Sequence, residues 1–248
     1  EKQRTYEGCS FLNRTLLTKQ VNQQCAVAKE AFGNILALEF DLPVPAFTFI
    51  NFSEAFIETL PEKFKKKLER LDNRIKFGSR LMDDFLIFDA DNYSRNTNDY
   101  ETMASIFAFD NLVWNLDRGG ERNKPNLLMR DGEFLLIDHE QILFFIDDEE
   151  QGNRKILDDF IKGRWTYPYK NHLFYNILKN TNKKFKDNWL DTFEEYLRLL
   201  RPEILDSCAN FLQSNGHPIG DFALLKEYLY AIKGNSSEFL KNVNALIL

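Results

Sequence analysis

Three residues with oxygen-bearing side chains stand around one short apolar stretch: Asp117 before it, Asn126 at its start and Asp138 just after it. Inside the stretch two apolar runs flank Asp131-Gly132, and Asp-Gly between apolar runs is the strongest short-range signal for a β-hairpin. Because a two-residue turn folds the strands back, we expect Asn126 and Asp138 to lie side by side at the open end, where Asp117 also enters. The spacing therefore predicts two carboxylates and a carboxamide that face one cavity.

Oxygen donors of this kind suit Mg²⁺, which in proteins usually takes one or two carboxylates and keeps the phosphates of its substrate as further ligands. A carboxylate outside the metal shell can orient or deprotonate a hydroxyl. Phosphoryl transfer needs both parts: metal ions that neutralise charge on the transferred group, and an acidic residue that positions the nucleophile. The three residues therefore predict a phosphoryl-transfer site.

The segments that carry these residues resemble those of a known kinase family. Asn115-Leu116-Asp117-Arg118, Pro125-Asn126-Leu127-Leu128 and Leu136-Ile137-Asp138-His139 are similar to the catalytic and metal-binding segments of HipA-like kinases and, more distantly, of type II phosphatidylinositol 4-kinases. The resemblance spans roughly residues 15–145. It implies that Asp117 is the catalytic residue, that Asn126 and Asp138 bind the metal, and that ATP and Mg²⁺ are the cofactors.

The same resemblance implies nucleotide-binding residues upstream. Val27-Ala28-Lys29-Glu30 is similar to the family's small-lobe helix, so Glu30 is expected to partner the nucleotide-binding lysine. Lys19 is the best candidate for that lysine because it ends a predicted strand shortly before Glu30. Phe77-Gly78-Ser79-Arg80 is similar to the strand that runs into the interlobe hinge, which places Phe77 and Ser79 beside the adenine.

Three residues next to the predicted ligands have open roles. Arg118 either holds a phosphate or pairs with a local acid, since ion pairs of that kind are common. His139 is a base, a regulatory-motif residue or a packed core imidazole, and we favour the structural role. Glu140 stands at the glycine position of the metal-binding triplet and either supplies another ligand or faces solvent.

The sequence also departs from the kinase pattern. Protein kinases place the metal-binding Asn about five residues after the catalytic Asp, whereas here the interval is nine residues (126 − 117), which requires an outward bulge. No glycine-rich phosphate loop precedes the first predicted strand, and Gly8 stands by itself. Two alternatives therefore stay open: a nucleotide-binding pseudokinase or partner-docking module without transfer activity, and a phosphatidylinositol-type lipid kinase.

Apolar periodicity predicts the elements that must position these residues. Helices are predicted over residues 26–40, 61–71 and 100–115, and strands over 11–20, 46–52 and 74–81, with a polar connection over 83–99 and mainly helices beyond 155, including 191–200 and 221–233. With the resemblance, this pattern predicts an α+β, two-lobed protein kinase-like fold. Its small mixed α/β nucleotide-binding lobe is expected over residues 1–82 and its larger, mainly helical catalytic lobe over residues 83–248.

Composition limits the partners. The 248 residues carry a net charge of −6, so we expect no direct contact with nucleic acid. No apolar stretch approaches the roughly 20 residues of a membrane span. The 3 cysteines lack metal-ligand spacing and indicate a reducing compartment, so a cytoplasmic location is expected.

The predicted function is transfer of the γ-phosphoryl group of ATP to a hydroxyl acceptor. The family resemblance implies Ser or Thr of a protein as that acceptor, with the chain itself among the candidate substrates. It also implies an antitoxin-like regulatory protein as a partner.

Overall fold

The computed structural model describes residues 25–68, 74–89, 93, 99–119, 124–147, 153–182, 186 and 188–248. The strand predicted over residues 11–20, and with it Lys19, lies outside these ranges. Of the residues that the structure describes, 53% are helical and the sheets are small, which confirms the mixed α and β composition. Over the described ranges, no helix has the length and apolar character needed to cross a membrane.

The helices and strands follow in chain order. The α-helices are α1 (Ala26–Glu39), α2 (Glu54–Glu58), α3 (Glu62–Leu68), α4 (Tyr100–Leu112), α5 (Lys155–Ile161), α6 (Tyr175–Asn180), α7 (Asp191–Leu199), α8 (Asp206–Ser214), α9 (Phe222–Gly234) and α10 (Ser236–Ile247). The strands are β1 (Phe47–Ile50), β2 (Lys76–Ser79), β3 (Leu86–Ile87), β4 (Leu127–Arg130) and β5 (Glu133–Leu136). Short 3₁₀ helices occupy Phe144–Ile146, Tyr169–Asn171 and Pro202–Leu205.

Strands β1 and β2 form an antiparallel pair in which Phe47 faces Ser79 and Ile50 faces Lys76. Phe47 stacks on Phe77 with 5.2 Å between the ring centroids, so a cross-strand aromatic pair stabilises the sheet. Both strands lie where alternation predicted them. The short helices α2 and α3 occupy the connection between them.

Strands β3, β4 and β5 form a second antiparallel sheet, and β4 and β5 are the predicted hairpin. The two residues that join them, Asp131 and Gly132, have φ values of 50° and 88°. Positive φ at both positions is the type I′ geometry that suits a two-residue hairpin, which explains why Asp-Gly occurs there. Strand β3 lies inside the predicted polar connection, and that expectation was wrong for residues 86–87, because a two-residue strand is too short to show alternation.

Helix α4 belongs to the hydrophobic core and packs against α6 and α10. Its apolar side chains Met103, Ala104, Ile106, Phe107, Ala108, Phe109 and Leu112 are fully buried, as expected for a helix that is hydrophobic all round. The helix ends at Leu112, before the predicted Asn115, because Trp114 takes a φ of 52° and leaves the helical region.

Helix α1 shares the hydrophobic core of α4 and the C-terminal helices, and it packs against α8. Near its start, the ammonium of Lys29 pairs with the carboxylate of Asp147 at 2.8 Å, although 118 residues separate the two. The shared core and this ion pair both join residues on the two sides of the boundary predicted at residue 82. The division into two lobes stays a prediction.

Candidate active site

Asp117 lies in the loop that follows α4, and the helix itself shapes that loop. The backbone N–H of Asn115 donates to the carbonyl of Asp110 at 2.8 Å, and the Asn115 amide donates to the Asp110 carboxylate, also at 2.8 Å. The Asn115 oxygen then accepts from the N–H of Asp117 at 3.1 Å. A buried carboxylate on α4 thus fixes the backbone two residues away from the predicted catalytic residue.

The structure brings Asn126 into contact with Asp117. The amide nitrogen of Asn126 donates to the carboxylate oxygen Oδ2 of Asp117 at 3.1 Å, and the two residues are 8% and 9% exposed. Gly119 and Lys124 pair as an isolated antiparallel bridge, with 2.6 Å from the Gly119 nitrogen to the Lys124 oxygen. This bridge closes the loop, so the nine-residue interval still lets the catalytic candidate and the predicted ligand meet.

Lys124 is a neighbour of Asp117 that the sequence analysis missed. Its ammonium lies 3.7 Å from Oδ2 of Asp117, with 35% of the lysine side chain exposed. The sequence feature that could have indicated this residue is its position in a charged loop, two residues before Asn126. The contact sets a positive charge beside the carboxylate at the solvent-facing side of the site.

Asp138 lies at the open end of the hairpin, but not directly opposite Asn126. Leu127 faces Leu136 in the register, and the N–H of Ile137 donates to the Asn126 carbonyl at 3.2 Å. The expected side-by-side pair is therefore corrected by one position, because a two-residue turn sets Ile137 against Asn126. Asn126 and Asp138 have φ values of 44° and 62°, so each leaves the strand conformation at the same end of the hairpin.

Helix α1 delivers Glu30 to the segment around Asp138. The backbone N–H of His139 donates to the Glu30 carboxylate, while the Asn34 amide donates to its carbonyl at 2.8 Å. The pKa of Glu30 is raised to about 8. Burial is the largest cause, and the negative charges of Asp138 and Glu140 contribute to the same shift. Acidic groups therefore gather on this side of the site. The pairing of Glu30 with Lys19 stays a prediction, because Lys19 lies outside the described ranges.

His139 is a packed core imidazole in this structure. It is fully buried, with Nδ1 3.5 Å from the Asn34 amide and 3.9 Å from the Glu30 carboxylate. Burial and the positive charge of Arg118 lower the pKa of His139 to about 3, so the ring is neutral at physiological pH. These contacts support the structural role over the role of a base.

Arg118 is buried and bonded inside the protein. Its side chain is 1% exposed, and Nε donates to the Asp110 carboxylate at 2.5 Å. Nη1 donates to the carbonyl of Asn126. Of the two roles left open by the sequence, the geometry corresponds to pairing with an acid, and the nucleotide-binding role expected for Arg118 has no support from these contacts.

Phe77 and Ser79 lie in β2, a strand that contacts helix α1. Among the described residues, the ring of Phe77 contacts Phe47 and Phe49, with centroid distances of 5.2 Å and 6.4 Å. Ser79 is exposed at the end of the strand. Their place beside an adenine stays a prediction.

The described part of the chain holds no group of three or more His, Cys, Asp or Glu residues able to bind a metal ion. The predicted pair of Asn126 and Asp138 matches instead the sparse coordination of Mg²⁺, which relies on substrate phosphates to complete its shell.

A comparison with family models identifies the family of the chain. The family model described as HipA-like kinase matches residues 16–194, which is more than half of the chain. The match places the protein among the kinases, a class of phosphotransferases. Within that class the chain belongs to the HipA-like kinase family, so the resemblance inferred from the motifs is confirmed. No curated protein and no solved structure gives a match.

Proposed function

We propose that this protein is an ATP- and Mg²⁺-dependent kinase that transfers the γ-phosphoryl group to a hydroxyl of a protein serine or threonine. Membership of the HipA-like kinase family supports phosphoryl transfer as the chemistry. The observation that carries the proposal is the 3.1 Å contact between Asn126 and Asp117, which joins the proposed metal ligand to the proposed catalytic carboxylate.

The residues present fit a magnesium-bound nucleotide. The nitrogen of the Asn126 amide contacts Asp117, which leaves the amide oxygen as the atom able to bind a metal. Two further acidic side chains, Glu30 and Glu140, lie near the second proposed ligand, Asp138; the pKa of Glu30 is raised mainly by its burial and, to a smaller extent, by the charges of Asp138 and Glu140. When bound, Mg²⁺ would supply the positive charge that neutralises the phosphates during transfer.

The protein's own groups then have distinct tasks. Asp117 would orient the acceptor hydroxyl and take its proton, with Lys124 3.7 Å away as a cation at the solvent-facing side. Glu30 would hold the nucleotide-binding lysine, for which Lys19 remains the candidate. Phe77 and Ser79 would contact the adenine from β2.

A pseudokinase that binds nucleotide without transfer is the second candidate. It is supported by residues 1–248, in which no segment resembles the glycine-rich phosphate loop of protein kinases. An antitoxin-like regulatory protein fits either candidate as a partner, because the family suggests it and both retain the scaffold.

The test measures nucleotide binding and phosphate transfer in the same purified protein. Titration calorimetry with ATP and Mg²⁺ reports binding, and labelled ATP reports transfer to the chain itself, to a generic protein acceptor and to phosphatidylinositol vesicles. We expect Mg²⁺-dependent binding and labelling of protein. Binding without transfer would support the pseudokinase, and labelling of the vesicles would support the lipid kinase.

Substitutions at the site identify the responsible residues. Asp117→Asn and Asp138→Asn should abolish transfer and leave the circular dichroism spectrum unchanged. Asp131→Asn is the matched control, since Asp131 is exposed in the hairpin turn and Asn tolerates its φ of 50°. Full activity in Asp138→Asn would show that the assignment is wrong.

A further inference from the structure

We infer that Arg118 is a positioning residue, which holds Asn126 and Asp117 together by joining them to a buried carboxylate on α4. The inference rests on the proposed function for the roles of Asp117 and Asn126. It goes beyond that function by assigning the part of the protein that keeps the two residues in register.

The anchor of Arg118 is Asp110. Nε of Arg118 lies 2.5 Å from Oδ2 of Asp110, and both side chains are fully buried. Burial would raise the pKa of Asp110, but the charge of Arg118 and the hydrogen bond from His172 outweigh burial, so the pKa lies below its ordinary value. Asp110 is therefore ionised, and the contact is a buried ion pair.

His172 completes the anchor. The N–H of Phe174 donates to Nδ1 of His172 at 3.1 Å, so this nitrogen must be the unprotonated one. The proton then sits on Nε2, which lies 2.8 Å from Oδ2 of Asp110 and donates to it. Burial lowers the pKa of His172 and keeps the ring neutral. With the Asn115 amide, the Asp110 carboxylate accepts from three donors.

The other end of the guanidinium acts on the site. Nη1 of Arg118 donates to the carbonyl of Asn126, whose side chain contacts Asp117. The carbonyl of Arg118 accepts from the N–H of Leu173 at 3.2 Å, one residue after His172. The backbone of the catalytic loop is thus held at two points: Leu173 bonds the carbonyl of Arg118, and the Arg118 guanidinium bonds the carbonyl of Asn126.

Gly119 shows how closely the loop and that segment approach. A Cβ added at Gly119 would lie 2.7 Å from the carbonyl oxygen of Asn171 and 2.8 Å from the nitrogen of Leu173. Such a close backbone approach allows the buried network to act on Asp117, only two residues away.

The chemistry explains why arginine occupies this position. A buried ion pair gains little stability, because removing two charges from water offsets most of their attraction. An arginine fork can bond two acceptors at fixed angles, whereas the lysine ammonium is a compact charge on a flexible stem. Arg118 uses that fork to join the Asp110 carboxylate to the Asn126 carbonyl. The Arg118–Asp110 pair therefore serves to orient the site residues.

The test compares Arg118→Lys with His172→Asn in the full chain. Arg118→Lys keeps the charge and removes the two-acceptor fork. His172→Asn keeps an acceptor near the Nδ1 position for the Phe174 N–H, but removes the donor to Asp110. Arg154→Lys is the matched control, because Arg154 makes two bonds of 2.7 Å to Glu227 on the surface, with 54% and 51% of the two side chains exposed.

Two readouts are measured on each variant. Hydrogen exchange by mass spectrometry should show faster exchange over residues 115–128 in Arg118→Lys and His172→Asn, with the remainder of the chain unchanged. Turnover at varied Mg²⁺ should show a half-saturating concentration raised about 10- to 100-fold in Arg118→Lys, the usual effect of losing a residue that orients a metal ligand. The KM for ATP at saturating Mg²⁺ should change little.

The outcomes separate this inference from the proposed function. A folded Arg118→Lys with wild-type exchange and wild-type Mg²⁺ dependence would overturn the inference, as would equal effects in Arg154→Lys. If Arg118→Lys does not fold, the exchange of His172→Asn decides. Absence of turnover in the wild type would contradict the proposed kinase, while the exchange readout would still establish or refute positioning by Arg118.

Discussion

Substitution of Gly33 by alanine should disturb the contact between α1 and the segment that follows the hairpin. Gly33 lies three residues after Glu30, and a Cβ added there would come within 2.6 Å of the His139 Cβ and 2.8 Å of the Ile142 Cδ1. Both neighbours are fully buried. The new methyl group therefore has to displace α1 or the ring of His139.

The expected cost follows from two opposing effects. Overpacking of a well-packed core typically costs about 1–3 kcal/mol, while alanine in place of glycine in a helix gains up to about 1 kcal/mol. Gly234→Ala is the matched control: Gly234 is also helical, and its added Cβ meets no described atom within 4 Å. Gly234 ends α9, where the gain from alanine is smaller than inside a helix, so the control tests the substitution without the close contacts. We expect Gly33→Ala to be less stable than Gly234→Ala by up to about 3 kcal/mol.

Urea unfolding followed by circular dichroism measures this difference. A loss of this size should also lower the melting temperature of Gly33→Ala by about 2–4 °C per kcal/mol for a chain of this length. Nucleotide binding should weaken as well, because a displaced α1 moves Glu30 away from the His139 N–H. Equal unfolding midpoints for Gly33→Ala and Gly234→Ala would refute the close approach of α1 to His139.

Three further predictions concern buried groups. The pKa of Glu30 is about 8 in the folded protein against an ordinary 4.5. Without nucleotide, Glu30 should therefore lower the free energy of unfolding of the protein as the pH rises from 4.5 to 8, by at most about 1.4 kcal/mol per pH unit. In Glu30→Gln the free energy of unfolding measured in urea should depend less on pH over that range, and an unchanged slope would contradict the burial of Glu30. Gly220→Ala should prevent folding or destabilise strongly, since Gly220 has φ of 72° and an added Cβ would lie 2.2 Å from the Ile146 oxygen; a wild-type melting curve would exclude that contact. Burial raises the pKa of the Cys208 thiol to about 11, so iodoacetamide at pH 8 should label its peptide much more slowly than free cysteine, and equal rates would show an accessible thiolate.

The parts of the fold that sequence predicted are those with a local cause. The β4–β5 hairpin follows from the φ values that Asp131 and Gly132 can adopt, and α4 follows from apolar residues at every turn. The exact partner of Asn126 was one position from the expected one, because residues that face each other across a two-residue turn are an odd number of positions apart, and Asn126 and Asp138 are separated by an even number. That register depends on the number of residues in the turn.

The candidate site was likewise predictable only in part. Asp117, Asn126 and Asp138 were recognisable because their residue types match a motif. The contacts of Arg118 were not, since its anchor Asp110 is bonded to His172 across 62 residues and no periodicity links them. Lys124 was missed because a lysine in a charged loop looks like any solvated residue until the Gly119–Lys124 bridge directs it towards Asp117.

The Lys29–Asp147 pair also constrains how the chain matures during synthesis. The two residues lie 118 positions apart, and a ribosome adds about 5–20 residues per second, so Asp147 is made about 6–24 s after Lys29. During that interval Lys29 cannot pair with Asp147. The apolar face of α1 also stays uncovered, because many residues of the core that buries it are synthesised later still. A nascent chain stalled before residue 147 should therefore expose α1 to proteases and chaperones, while one released at full length should protect it.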